Sequence, residues 1–251
     1  MPIDRVVDWV VTTLLISLRV TPMFAAAPPF TLTGVPPLFR SLLGVGLAAS
    51  LAAGYHGAPV ATTSEFLVIS AARELVVGSV FVAALQIMFG ALYVAGRTID
   101  IQAGYGLALL IDPTTRNQTP LIGSLFAYCC AAVFFGLNGH VELLRILQAS
   151  FDAIPIGAAP PLPSAAHLAG FLTAVFATAF GVAGGAILVL FLADALIAVM
   201  SRTLPQMNVL MLGFQVKTIL LLAILPAFLG ASGALLTRLA RQTLEAIPGL
   251  L

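Results

Sequence analysis

Charge is what this sequence has least of. Only 8% of its 251 residues are charged, while 60% are hydrophobic, and its mean hydropathy is +1.09. A soluble domain carries roughly 25% charged residues. The chain therefore lacks the means to present an ordinary wetted surface, and a membrane protein is the reading its composition imposes. A net charge of +1 leaves no basic field, which argues against nucleic acid as a partner. Cysteine is scarce as well. Cys129 and Cys130 are adjacent in an apolar run, without C-x-x-C or Cys/His ligand spacing, and read as small buried hydrophobes. Catalytic signatures are missing: there is no H-E-x-x-H, no G-x-S-x-G, no Walker loop and no metal-ligand cluster. His56, His140 and His167 each stand alone near a predicted helix end, as interfacial or solvated histidines do. No enzyme, cofactor or metal is expected. No strand alternation and no internal repeat at fixed period is visible.

What is present is a series of long apolar runs interrupted near the middle. The interruption runs from Ile101 to Pro120, IQAGYGLALLIDPTTRNQTP. It holds Gly104 and Gly106, a short apolar patch (Leu107, Ala108, Leu109, Leu110, Ile111), then Asp112-Pro113 and a polar tail. Asp-Pro favours a turn, and the residue before proline is pushed out of the helical region. Two long helices are expected to meet here through a loop, about residues 104–120, with an apolar tip and a polar flank.

Taken in order, Val6–Ala26 is long and apolar enough to span a bilayer, which needs about 20 residues. It resembles a signal peptide up to Ala25-Ala26-Ala27. Asp4, Asp8 and the internal Arg19 argue against cleavage, as does Pro28 after the cut, so the segment is read as part of the mature protein. The link PPFTLTGVPP cannot be helical throughout. A second run covers Leu38–Tyr55. A third, Glu65 to about Ala103, exceeds one crossing; it must break, with Gly78 or Gly90 as candidates, or run past the membrane. The fourth is Leu121–Leu137. His140–Phe151, with Glu142 and Arg145 at i,i+3, is mildly amphipathic and is expected at a surface. A proline-rich link, Ile154–Pro163, precedes a run from Leu168 to about Arg202, and the last run covers Val209–Ala240 with a kink expected at Pro226. The fold class is all-α: about six long hydrophobic helices in a multi-pass protein. Gly181 and Gly185 form a G-x-x-x-G that lets helices approach closely.

Three ionisable residues interrupt apolar runs: Arg19, Asp194 and Lys217. Each costs about 2.5–3.5 kcal/mol at the centre of a lipid-facing helix by insertion scales. Three readings stand: ion coupling in a transporter, burial against partner chains or pore water, and snorkelling to the interface.

Three blocks together resemble one family. The first is Gly96-Arg97 through Gln102, Gly104, Asp112-Pro113 and Pro120. The second is Leu137, Asn138, Gly139 and His140, with Phe151 and Ile154–Gly157. The third is Arg202, then Pro205, Gln206, Met207 and Asn208, followed by Gly213, Phe214 and Lys217. They resemble the FliR family of flagellar export-gate subunits, whose virulence-secretion counterparts are called SctT. The likeness spans the chain as a single domain. Gly213-Phe214, in place of the Ser-Met-Pro common in injectisome relatives, favours the flagellar branch; Gln215 departs from the proline that flagellar members often carry there.

The resemblance implies a non-enzymatic subunit of the bacterial inner membrane and flagellar basal body. Its implied partners are FliP-like and FliQ-like small membrane subunits, an FlhB-like subunit and lipid. Bent helical hairpins would wind around a pore that passes unfolded flagellar proteins. It also implies that the central loop, Gly106–Asn117, plugs the channel, with Leu107–Ile111 as its tip and Asp112-Pro113 fixing the turn. The other reading of the loop is permanent packing between helices. The small-residue face at Gly181–Gly185 is a candidate for partner contact. A secondary transporter using Asp194 and Arg19, or an injectisome subunit, are the competing functions.

Overall fold

The computed structural model describes residues 3–55, 64–105, 120–161, 163–203 and 209–251. The tip of the central loop (106–119), the Pro205–Asn208 block and His56 with most of the following polar link lie outside the described residues. Among those described there are seven α-helices and no strand. They are α1 (Ile3–Ala26), α2 (Pro37–Ala53), α3 (Ser64–Ala103), α4 (Leu121–Gly136), α5 (Gly139–Ala153), α6 (Ala165–Thr203) and α7 (Val209–Leu250).

Proline and glycine set several of the boundaries. Pro37 occupies the first turn of α2, where its missing N–H is no loss and its φ suits the helix. Between α1 and α2, a short 3-10 turn (Phe30–Thr33) ends on Gly34 at φ 70°. Asn138, at φ 56°, separates α4 from α5; Asn enters the left-handed region more readily than most residues.

Helix α3 takes the unbroken one of its two expected courses. It is one unbroken helix of 40 residues, which at 1.5 Å per residue is about 60 Å long, twice the roughly 30 Å of bilayer hydrocarbon. Neither Gly78 nor Gly90 interrupts it. A Cβ on Gly78 would lie 2.6 Å from the Arg19 carbonyl oxygen, so this glycine admits the backbone of α1. Helix α7 likewise runs through Pro226 without interruption and ends ten residues after Ala240, at Leu250. Helix α5 is less superficial than its charges suggest. Glu142 and Arg145 pair at its exposed face at 3.2 Å, while Leu143, Leu147, Ser150 and Phe151 are buried.

The described contacts form two compact units. The first comprises Met1–Ile87, Phe134–Leu172 and Arg241–Leu251. Its core includes Leu15, Ile16, Val20, Met23, Phe81 and Leu85, all buried. Helix α2 packs on α1 with Gly44 over Thr21, where a Cβ would come within 2.8 Å of the Thr21 Cα. The Phe30 ring sits 4.8 Å from Phe24 and 6.1 Å from Phe135, and Phe135 lies 5.5 Å from the His140 ring. The second unit comprises Met88–Val133 and Thr173–Ala240. Phe89, Leu92, Ile99, Phe126 and Cys130 are buried, and α3 and α4 touch backbone to backbone at Gly96 and Gly123.

Among the described residues four helices are long and apolar enough to cross a membrane, α1, α3, α6 and α7, and the bent pair α4–α5 would add a fifth. Large apolar side chains face outward along α2 (Leu38, Phe39, Leu42, Leu43) and α6 (Leu188, Phe191, Leu192, Leu196). Such faces suit lipid or partner helices rather than water.

Candidate functional site

The best-defined polar cluster in the first unit is built on Arg19. Its side chain is fully buried, yet every donor is used. Nε donates to Glu74 Oε2 at 2.6 Å and Nη2 to Glu74 Oε1 at 3.1 Å, a bidentate fork of the strong kind. Nη1 donates to the Ser150 carbonyl at 3.0 Å and its hydroxyl at 3.2 Å. Nη2 also reaches the Ile154 carbonyl at 3.0 Å, and the guanidinium lies 4.3 Å from the Phe151 ring centroid. Glu74 in turn accepts the Gly157 N–H at 2.9 Å, and Arg73 donates to the Gly157 carbonyl at 2.8 Å. Gly157 stands at φ 77°, where a Cβ would meet Ser70 Oγ at 2.7 Å. One ion pair thus gathers α1, α3, α5 and the proline-rich link. Glu74 was not expected as the partner of Arg19. Opposite charges in two separate apolar runs were the available signal.

The second cluster surrounds the root of the central loop. Helix α3 ends at Ala103, and Gly104 follows at φ 91°. The Phe214 ring of α7 lies where a Gly104 Cβ would be, its Cδ1 2.3 Å from that position. One turn on, Lys217 Nζ donates to the Gln102 carbonyl at 3.2 Å and pairs with Asp194 Oδ1 of α6. Across the loop, Asp100 Oδ1 accepts the Ile122 N–H at 3.2 Å in the first turn of α4. An acidic group there satisfies one of the helix's free N–H groups and suits its dipole. Both ends of the loop are therefore anchored.

The sequence-derived candidates divide accordingly. Phe214 and Lys217 come together with Gln102 and Gly104, and Asp194 joins them through Lys217. Neither Lys217 nor Asp194 was expected to pair with the other. Gly213 packs 3.6 Å, measured from an added Cβ, from Ile197. Asn138, Gly139 and His140 belong to the first unit. A Gly139 Cβ would lie 2.7 Å from the Phe134 ring, so that glycine permits the tight α4–α5 turn. Gly106, Leu107, Ala108, Leu109, Leu110, Ile111, Asp112 and Pro113 lie outside the described residues, as do Pro205, Gln206, Met207 and Asn208. Gly185 packs within the chain: its Cβ position is 2.1 Å from Phe228 Cε1, which uses for α6–α7 packing a face proposed for partner contact. Arg19 and Asp194, the residues a transporter reading would place at its binding site, are both engaged in ion pairs inside the chain.

These features define a multi-pass, all-α membrane protein whose polar residues fasten helix ends and a loop. The chain matches the family described as bacterial export proteins, family 1, over residues 10–243. It is 31% identical over 219 residues to the flagellar biosynthetic protein FliR of Bacillus subtilis, covering 85% of this chain and 84% of that protein. It is 26% identical over 201 residues to the FliR of Escherichia coli, covering 78% and 76%. The surface presentation of antigens protein SpaR of Shigella sonnei is 29% identical over 153 residues, 61% of this chain and 59% of that protein. The chain belongs to the FliR family of type III export proteins. It is an export-gate subunit of type III secretion and a multi-pass protein of the inner membrane, working among other components of the export apparatus.

Proposed function

We propose that this chain serves the flagellar branch of type III secretion as a non-catalytic, channel-forming subunit. The longer coverage of the flagellar relatives supports that branch. Its partners in this reading are FliP-like and FliQ-like small membrane subunits and an FlhB-like subunit, which would cover the outward apolar faces of α2 and α6. Exported unfolded polypeptides are its cargo.

The central loop, Gly106–Asn117, acts as the plug. The observation that carries this is the double anchoring of the loop: Phe214 and Lys217 at Gln102–Gly104, and Asp100 at Ile122. The two roots fix where the loop leaves and rejoins the helices, and in this reading an apolar tip, Leu107–Ile111, in a narrow wet pore excludes water and ions. Deleting Leu107–Leu110 is expected to raise ion leakage through the assembled gate while leaving assembly intact. Unchanged conductance in an assembled deletion variant would refute the plug. Native mass of the tagged chain, extracted mildly with its natural partners, tests the assembly: one copy in a large complex with two small hydrophobic proteins is expected.

A further inference from the structure

The end of α3 is held by residues outside the loop. Gln102 is among the last four residues of α3, the positions whose carbonyls a helix leaves without an intrahelical partner. Lys217 Nζ donates to it at 3.2 Å. A cation there is favoured both as a hydrogen-bond donor and by the helix dipole. The same ammonium meets Asp194 Oδ1, and the two side chains are 14% and 42% exposed. Lys217 and Phe214 lie at i,i+3 on α7, a spacing that puts them on one face. That face touches both Gln102 and Gly104.

We propose that Lys217 and Asp194 are positioning residues that clamp the C-terminal end of α3. Asp194 holds the ammonium in place, and the ammonium holds the Gln102 carbonyl. The direction in which the chain leaves Gly104 then depends on an ion pair between two other helices. This rests on the reading given above only for its consequence, since the segment leaving α3 here is the proposed plug.

The test uses the complete gate, co-expressed with its natural partners and of wild-type native mass. Cys129 and Cys130 are replaced by alanine, and Tyr105→Cys, just past the clamp, is labelled with a membrane-impermeant maleimide. Asp194→Asn and Lys217→Gln are expected to raise the labelling rate about tenfold, the factor that loss of one charge-assisted hydrogen bond gives. Lys217→Arg keeps the cation and is expected to label at close to the parent rate. Labelling unchanged in Asp194→Asn overturns the clamp, and this near-isosteric variant decides the matter if Lys217→Gln does not assemble. The plug reading fails separately. If deleting Leu107–Leu110 causes no leak, the plug is lost, while Tyr105→Cys labelling still decides the clamp.

Discussion

Arg19 and Glu74 stand 55 positions apart and meet at 2.6 Å, each with 1% or less of its side chain exposed. Neither charge could lie in lipid or in an apolar core alone. Removing one partner of a buried ion pair costs about 3–5 kcal/mol, because the other charge is left uncompensated. Arg19 also donates to the Ile154 carbonyl just past α5, so its loss strands more than Glu74.

Arg19→Ala and Glu74→Ala are therefore expected to lower the thermal stability of the detergent-extracted protein severely, Arg19→Ala the more so. Arg19→Met combined with Glu74→Leu removes both charges and is expected to recover part of the loss. Thermal unfolding followed by loss of the monodisperse peak on size-exclusion chromatography measures this. Equal stability of the single and double variants would rule out a charge-driven effect.

Two glycines of α3 are expected to respond in opposite directions. A Cβ on Gly96 would lie 2.2 Å from the Gly123 backbone, and backbone cannot swing aside as a side chain can. Gly96→Ala should push α3 and α4 apart and lower stability. Gly90 has nothing within 4 Å of its Cβ position, and alanine in a helix interior is favoured over glycine by roughly 0.5–1 kcal/mol. Gly90→Ala is expected to be neutral or stabilising in the same thermal assay.

The helices were legible because long apolar runs are bounded by Pro28-Pro29, Pro36-Pro37, Asn138-Gly139 and Leu204-Pro205, and such boundaries act locally. The central interruption was legible for the same reason. What Gly78 does was not. A glycine in an apolar run reads equally as a weak point or a point of contact, and only the α1 backbone beside it decides. The pairings Arg19–Glu74 and Lys217–Asp194 were also hidden, because sequence marks a buried charge as needing a partner without saying which one. Gly104 was visible as a glycine in a loop, but its tie to Phe214 depends on two helices meeting far along the chain.

Asn138 separates a backbone requirement from a contact. Its φ of 56° costs a β-branched or alanine side chain roughly 1–2 kcal/mol, and its own side chain makes no capping hydrogen bond to α5. Asn138→Gly is expected to keep both stability and export, while Asn138→Val lowers stability. Export measured as secreted flagellar protein, beside thermal stability, distinguishes the roles. A stable Asn138→Gly variant that fails to export would assign the side chain to a partner instead.

Gly104 carries two separate restraints, and they can be measured apart. Its φ of 91° is disfavoured for any side chain, on the order of 1–3 kcal/mol. The Phe214 ring, 2.3 Å from the Cβ position, adds a clash. Gly104→Ala should thus weaken the root of the central loop by both effects. Adding Phe214→Ala removes the clash and leaves the backbone strain, so Gly104→Ala/Phe214→Ala is expected to label at Tyr105→Cys more slowly than Gly104→Ala but faster than the parent. Full return to the parent rate would mean that the clash alone matters and that the backbone at Gly104 relaxes freely. No return at all would mean that relief of the clash is offset by loss of the ring's packing against Gly104.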